Sequence, residues 1–250
     1  MAQAARPRRV LVTGGASGIG LAVVRAFAEE GDFVVSLDLA ESSAASESVI
    51  GDVRESKSHE QAVATTSKGE GLDVLVVNAG IHDGGLGLHS DVDELLAGLH
   101  SVLDIDVIGY VLALRAAAAD LAAGSGTAIL TLSDASFLAG QTGAGIAYTA
   151  AKHAQVGILM WAARALAPAV RVNGVAPGGV ITGLRAIDKE GSKPLFADAE
   201  SKRELVASRN PLGTVLEPEE VAQLFVWLAS TAARGMTGQI IRPDGGLALR

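Results

Sequence analysis

The sequence predicts one α/β domain: a doubly wound parallel sheet of about seven strands with helices on both faces. Three observations carry the prediction. Short apolar runs alternate with longer helical stretches along the chain. A glycine-rich turn stands between the first run and the first helix. No internal repeat or linker divides the chain, so residues 1–250 read as a single unit. Strand–helix alternation implies right-handed crossovers and a parallel sheet covered on both faces.

The elements follow in order. Residues 10–13 read as a buried strand and 18–30 as a helix that ends at Gly31. Residues 33–37 form a second strand. The stretch 40–48 is rich in Ser and Ala, and is short for a full β-α-β unit. Residues 74–77 are another apolar run, closed by Asn78-Ala79-Gly80. Residues 94–123 and 148–167 read as helices, 127–132 and 170–175 as strands, and 240–241 as part of a last strand. The two long helices are Ala- and Leu-rich on more than one face. Each has one face for the sheet, which leaves the other for a partner subunit or for a thicker core covered by loops. Residues 183–213 combine Gly, Pro and charges and read as a substrate flap.

At 250 residues with 49% apolar and 19% charged side chains, the chain is long and apolar enough for a substantial core. Its formal charge of −8 argues against nucleic acid and anionic membrane as partners. The absence of cysteine removes disulfides, thiol nucleophiles and thiolate-bound metal. Neither a signal-peptide pattern nor a run of about 18 apolar residues is read in the sequence, so no transmembrane helix is expected. A cytoplasmic location is the expectation that follows.

Four stretches carry chemistry. Thr13-Gly14-Gly15-Ala16-Ser17-Gly18-Ile19-Gly20 joins the first strand to the first helix. Glycines let the backbone approach a ligand there, and the helix points free N–H groups at a pyrophosphate. Asp38 ends the second strand, about 20 residues on, where a carboxylate accepts from an adenosine ribose and repels a 2′-phosphate. NAD is therefore expected over NADP. Asp52 and Val53 stand where they can hold the adenine edge. Tyr148 and Lys152 are four residues apart and share a helix face, so an ammonium lies beside a phenol and lowers its pKa.

The chain resembles the short-chain dehydrogenase/reductase family from Val10 to nearly its end. The matching motifs are T-G-x-x-x-G-x-G at 13–20, N-A-G at 78–80, Y-x-x-x-K at 148–152 and P-G-x-x-x-T at 177–182. The resemblance implies a Rossmann-type fold and hydride transfer between a nicotinamide and a secondary alcohol or ketone. It implies a catalytic Ser133, Tyr148 and Lys152, with Ser136 as the alternative serine. It implies that Gly14, Ser17, Gly18, Ile19, Gly20, Asn78, Ala79, Gly80, Pro177, Gly178, Val180 and Thr182 bind the cofactor with Asp38, Asp52, Val53, Tyr148 and Lys152. It also implies a homo-oligomer, with a tetramer favoured over a dimer.

One position departs from the pattern. Asp106 stands where relatives hold the asparagine of x-N-x-x-G, a residue that shapes the helix and holds a proton-relay water. Asp106 is expected to pair with Lys152, directly or through water. Several stretches resemble bacterial cis-dihydrodiol dehydrogenases, among them 78–83, 148–154, 171–179 and 244–246. The segments 140–145 and 183–213 depart from them, so a general secondary-alcohol dehydrogenase or ketoreductase is a second reading. A catalytically silent NAD-binding regulator is a third, supported only by Asp106. Of the histidines, His59, His89 and His100 are expected at the surface, and His82 is placed to reach a substrate pocket. No metal set is expected.

Overall fold

The computed structural model describes residues 6–140, 143–181, 184–186, 193–194 and 199–249. Seven parallel strands form the central sheet: β1 (Arg9–Thr13), β2 (Phe33–Asp38), β3 (Glu47–Ile50), β4 (Val74–Val77), β5 (Thr127–Thr131), β6 (Arg171–Val175) and, at one edge, Ile240–Ile241. Two further short strands, β7 (Arg185–Ala186) and β8 (Lys193–Pro194), pair antiparallel with each other, so the edge strand is β9. The sheet order is β3-β2-β1-β4-β5-β6-β9. The direction of build-up reverses between β1 and β4, and ligands bind at that switch point outside the carboxyl ends of the strands.

Alternate residues of the strands fill two cores. Leu11, Val35, Leu37, Leu75, Val77 and Leu130 join the cluster that includes Ala62, Tyr110, Ala117 and Leu159. Val10, Val12, Val34, Val74, Val76 and Ile129 join Val23, Phe27, Val221 and Phe225. The first cluster lies under α2 (Ser56–Ser67), α4 (Gly109–Gly124) and α5 (Ile146–Leu166). The second lies under α1 (Gly18–Glu29) and α7 (Pro218–Ala229). Each fully buried aliphatic side chain stabilises the fold by about 1.5–3 kcal/mol.

The stretch 39–46 crosses from β2 to β3 without a helix, as its length implies. The predicted helix 94–123 is a continuous span of α3 (Val92–Leu103), a π-helical turn at Asp104–Ile108, and α4. By length and composition alone that span is long enough to cross a membrane. It packs against α2, α5, β4 and β5, which makes it a helix of this domain. The flap region contains the β7–β8 pair and α6 (Ala199–Arg209).

Candidate active site

One cleft of about 550 Å³ runs across the carboxyl ends of the central strands. Gly14, Ser17, Gly18, Ile19, Asp38, Asp52, Val53, Asn78, Ala79, Gly80, Asp106, Ser133, Tyr148, Lys152, Pro177, Gly178 and Val180 all line it. Residues predicted from separate motifs therefore meet in one place. Gly20 does not line it. A Cβ there would collide with the Gly14 carbonyl, so Gly20 serves the close packing of the turn. Thr182 lies outside the described residues.

At the nucleotide end, Gly14 adopts φ +70 against the backbone of Ala79, conditions that only glycine meets without strain. Ser17 is extended and makes no side-chain cap, and the first turn of α1 carries no acidic residue. The helix N–H groups are thus left for an anion, which fits a pyrophosphate. Asn78 ties three segments together: its Nδ2 donates to Gly14 O at 3.1 Å and its Oδ1 accepts from Thr131 Oγ1 at 3.1 Å. Asp38 Oδ2 accepts the Ala16 N–H at 2.9 Å, which holds the carboxylate under the glycine turn.

Two residues at this end were not read from the sequence in this role. Arg54 lines the cleft and donates from Nε to Asp52 Oδ1 and from Nη2 to Asp52 Oδ2, which holds the Asp52 carboxyl below its usual range. His59 was expected at the surface, but it is 1% exposed and bonds Val53 O through Nε2 at 2.7 Å. The correction has a packing cause: His59 is on the inner face of α2 and anchors the loop that follows β3. A lone histidine in a polar helix gives no periodic signal from which that burial can be read. His89, His100 and His153 are exposed.

At the catalytic end the long helix α5 presents Tyr148 and Lys152 on one face, with Nζ 5.2 Å from the phenol ring centre. Asp83 holds the start of that helix. Its Oδ1 accepts the Gly145 N–H and its Oδ2 the Tyr148 N–H, both at 2.9 Å. A carboxylate there meets the positive end of the helix. His82 packs its ring on Tyr148 with centroids 4.6 Å apart and lines the cleft, as its position predicted.

The two serines separate clearly. Ser133 lines the cleft together with Tyr148. The Ser133 hydroxyl donates to Asp134 Oδ1 at 2.7 Å. Ser136 is buried and turns back to accept the Ser133 N–H at 3.3 Å. Burial pushes Asp134 above the usual carboxylate range, and the Ser133 hydroxyl opposes that shift.

Asp106 pairs directly with Lys152, Oδ2 to Nζ at 3.0 Å, and its Oδ1 accepts the Ile81 N–H at 2.9 Å. Burial pushes the Tyr148 phenol above its ordinary value, although the Lys152 charge pulls the other way. Burial alone would lower Lys152, but Tyr110, Tyr148 and Asp106 outweigh it and keep it an ammonium. Among the described residues no group of acidic or histidine side chains is arranged for a metal.

Residues 14–248 match the family described as enoyl-(acyl carrier protein) reductase. The 3-phenylpropionate-dihydrodiol/cinnamic acid-dihydrodiol dehydrogenase of Escherichia coli O157:H7 is 37% identical over 254 residues, covering 96% of this chain and 93% of that one. The protein of the same description from Shigella boydii serotype 4 is 36% identical over the same shares. Among solved structures, the ligand-free aldohexose dehydrogenase of Thermoplasma acidophilum superposes with TM-score 0.84 at 26% identity, covering 98% of this chain and 95% of that one. A short chain dehydrogenase family protein from Francisella tularensis superposes with TM-score 0.82 at 25% identity, covering 98% and 100%.

Proposed function

The chain belongs to the short-chain dehydrogenase/reductase family, an oxidoreductase acting on CH–OH groups, and on that premise we propose that it oxidises a cis-dihydrodiol with NAD. One observation carries the reading: Ser133, Tyr148 and Lys152 stand together at one end of a cleft whose other end is closed by Asp38. The full-length relatives that act on dihydrodiols support the substrate class. Asp38 supports NAD, because a carboxylate repels the 2′-phosphate of NADP.

Bound NAD supplies the acceptor for the carbinol hydride. Tyr148, as phenolate, takes the proton of the substrate hydroxyl. Lys152 favours the phenolate by its charge and faces the nicotinamide ribose. Ser133 positions the reacting oxygen and stabilises the charge that develops on it by turning its hydroxyl proton from Asp134 Oδ1 toward it. Pro177, Gly178 and Val180 form the cleft wall for the carboxamide, with Thr182 two residues further on in sequence. The free N–H groups of α1 and the backbone of Ser17, Gly18 and Ile19 receive the pyrophosphate. Asp52 and Val53 border the adenine.

Two further parts belong to the reading. The absence of cysteine suits a reducing cytoplasm. Exposed apolar side chains on the two long helices suit a homo-oligomer, a tetramer before a dimer. The departures at 140–145 and 183–213 leave a general secondary-alcohol dehydrogenase or ketoreductase as the second reading, since those segments are the ones expected to shape the substrate pocket.

The test is NADH formation on a panel of cis-dihydrodiols, secondary alcohols and hydroxysteroids, repeated with NADP. Turnover confined to simple alcohols moves the protein to the second reading, and preference for NADP removes the role given to Asp38. Tyr148→Phe is expected to retain NADH binding, read by fluorescence, and to lose nearly all turnover. Unchanged turnover in that variant rejects Tyr148 as the acid/base.

A further inference from the structure

Lys152 is held by more than the motif around it. Its Nζ lies 3.0 Å from Asp106 Oδ2, 3.2 Å from Gln155 Oε1 and 3.5 Å from Thr131 O. An ammonium has three protons, and here it donates to Gln155 and Thr131 and is ion-paired with Asp106. Gln155 is fully buried, and its other end donates from Nε2 to the main-chain carbonyl of Asp106 at 2.7 Å. Chemistry fixes the amide's orientation, because an ammonium only donates and a carbonyl only accepts. Asp106 Oδ1 accepts the Ile81 N–H and its Oδ2 is paired with the Lys152 ammonium, which opposes the rise in its pKa that burial causes.

The surrounding backbone is shaped for this cluster. The π-helical turn at Asp104–Ile108 carries Asp106, which is fully buried at its centre. A Cβ on Gly80 would sit 2.8 Å from Asp106 Oδ2, so the carboxylate occupies space that a larger residue would take. Gln155 follows Lys152 by three residues on α5 and therefore shares its face. A buried amide is costly unless bonded, and here both of its ends are.

We propose that Gln155 is a positioning residue: together with Asp106 it clamps the Lys152 ammonium in a buried seat, so that the lysine acts on Tyr148 as a fixed and partly neutralised charge. The catalytic meaning of the clamp rests on Tyr148 being the acid/base of the reaction proposed above. The Thr131 contact is the longest of the three and is the one a ribose hydroxyl replaces.

The groups that face Tyr148 are Lys152 from its own helix, Asp106 and Tyr110 from the long helix, Ser133 and Asp134 after β5, and His82 after β4. Lys152 favours the phenolate, whereas Asp106 and Asp134 oppose it. Neutralising Asp106 leaves the ammonium unopposed. Releasing it from Gln155 as well lets it follow the phenolate.

The chain has two tyrosines, so ultraviolet titration of tyrosinate reads Tyr148 alone once Tyr110→Phe removes the other. The measurement needs neither substrate nor cofactor, and failure of the proposed reaction leaves it intact. The Tyr148 midpoint is expected above the ordinary value near ~10. Asp106→Asn is expected to lower it by about one pH unit or more. Adding Gln155→Met is expected to lower it further. The clamp is overturned by a midpoint below ~10 with Asp106 and Gln155 both present, by no change in Asp106→Asn, or by equal midpoints in the single and double variants. The first of these outcomes requires no clamp variant to fold.

Discussion

Tyr148, Lys152 and Asp38 were legible as single residues because each belongs to a spacing whose chemistry is local: an i, i+4 pair, and a carboxylate at a strand end. His59 was not, because its burial depends on which face of α2 meets the sheet. That burial has a measurable consequence. Burial lowers the His59 pKa, while the Val53 carbonyl and Asp52 oppose the shift. As pH falls below about 6.5, the unfolded chain takes up a proton that the folded chain still refuses. Stability from this group is present above that pH and is lost as pH drops toward the lower folded value. The melting temperature should therefore fall between about pH 7 and pH 5, and His59→Gln should reduce the slope while keeping a donor to Val53 O. An unaltered slope in that variant would assign the acid loss to other groups.

At the scale of elements, strands and helices appeared where apolar runs and helical stretches placed them, with ends displaced by a residue or two. What the pattern did not reveal was the π-helical turn inside the span 92–124, since one widened turn leaves the apolar spacing almost unchanged. Nor did it reveal the cap on α5. Asp83 lies 62 positions before Gly145, and no local signal joins them. Its carboxylate accepts three backbone N–H groups, from Gly85, Gly145 and Tyr148. Asp83→Ala should cost about 1–2 kcal/mol in urea unfolding, the range of a lost N-cap. Because Tyr148 N–H is one of the three, turnover should fall as well while cofactor binding persists. Loss of stability with turnover intact would make Asp83 a structural cap alone.

For the whole molecule, the two long helices each leave an apolar stripe outside. Ile108 and Val111 on one, with Ile146, Met160 and Trp161 on the other, are exposed, Trp161 to 74%. Stripes at helical spacing bury well against a second copy. Trp161→Glu is expected to shift the sedimenting species to a smaller assembly; an unchanged species would put the interface elsewhere. The sequence alone determined the α/β class, the cleft's two ends and the tyrosine–lysine pair, because periodicity and motif spacing act over a few residues and a crossover's length limits its topology. Only the tertiary structure decided which serine faces the cleft, that Asp106 meets Lys152 directly, and that Gln155 closes around the same ammonium. Those outcomes depend on buried side chains from separate elements converging in space, where each hydrogen bond is set by its neighbours and not by the residues beside it in the chain.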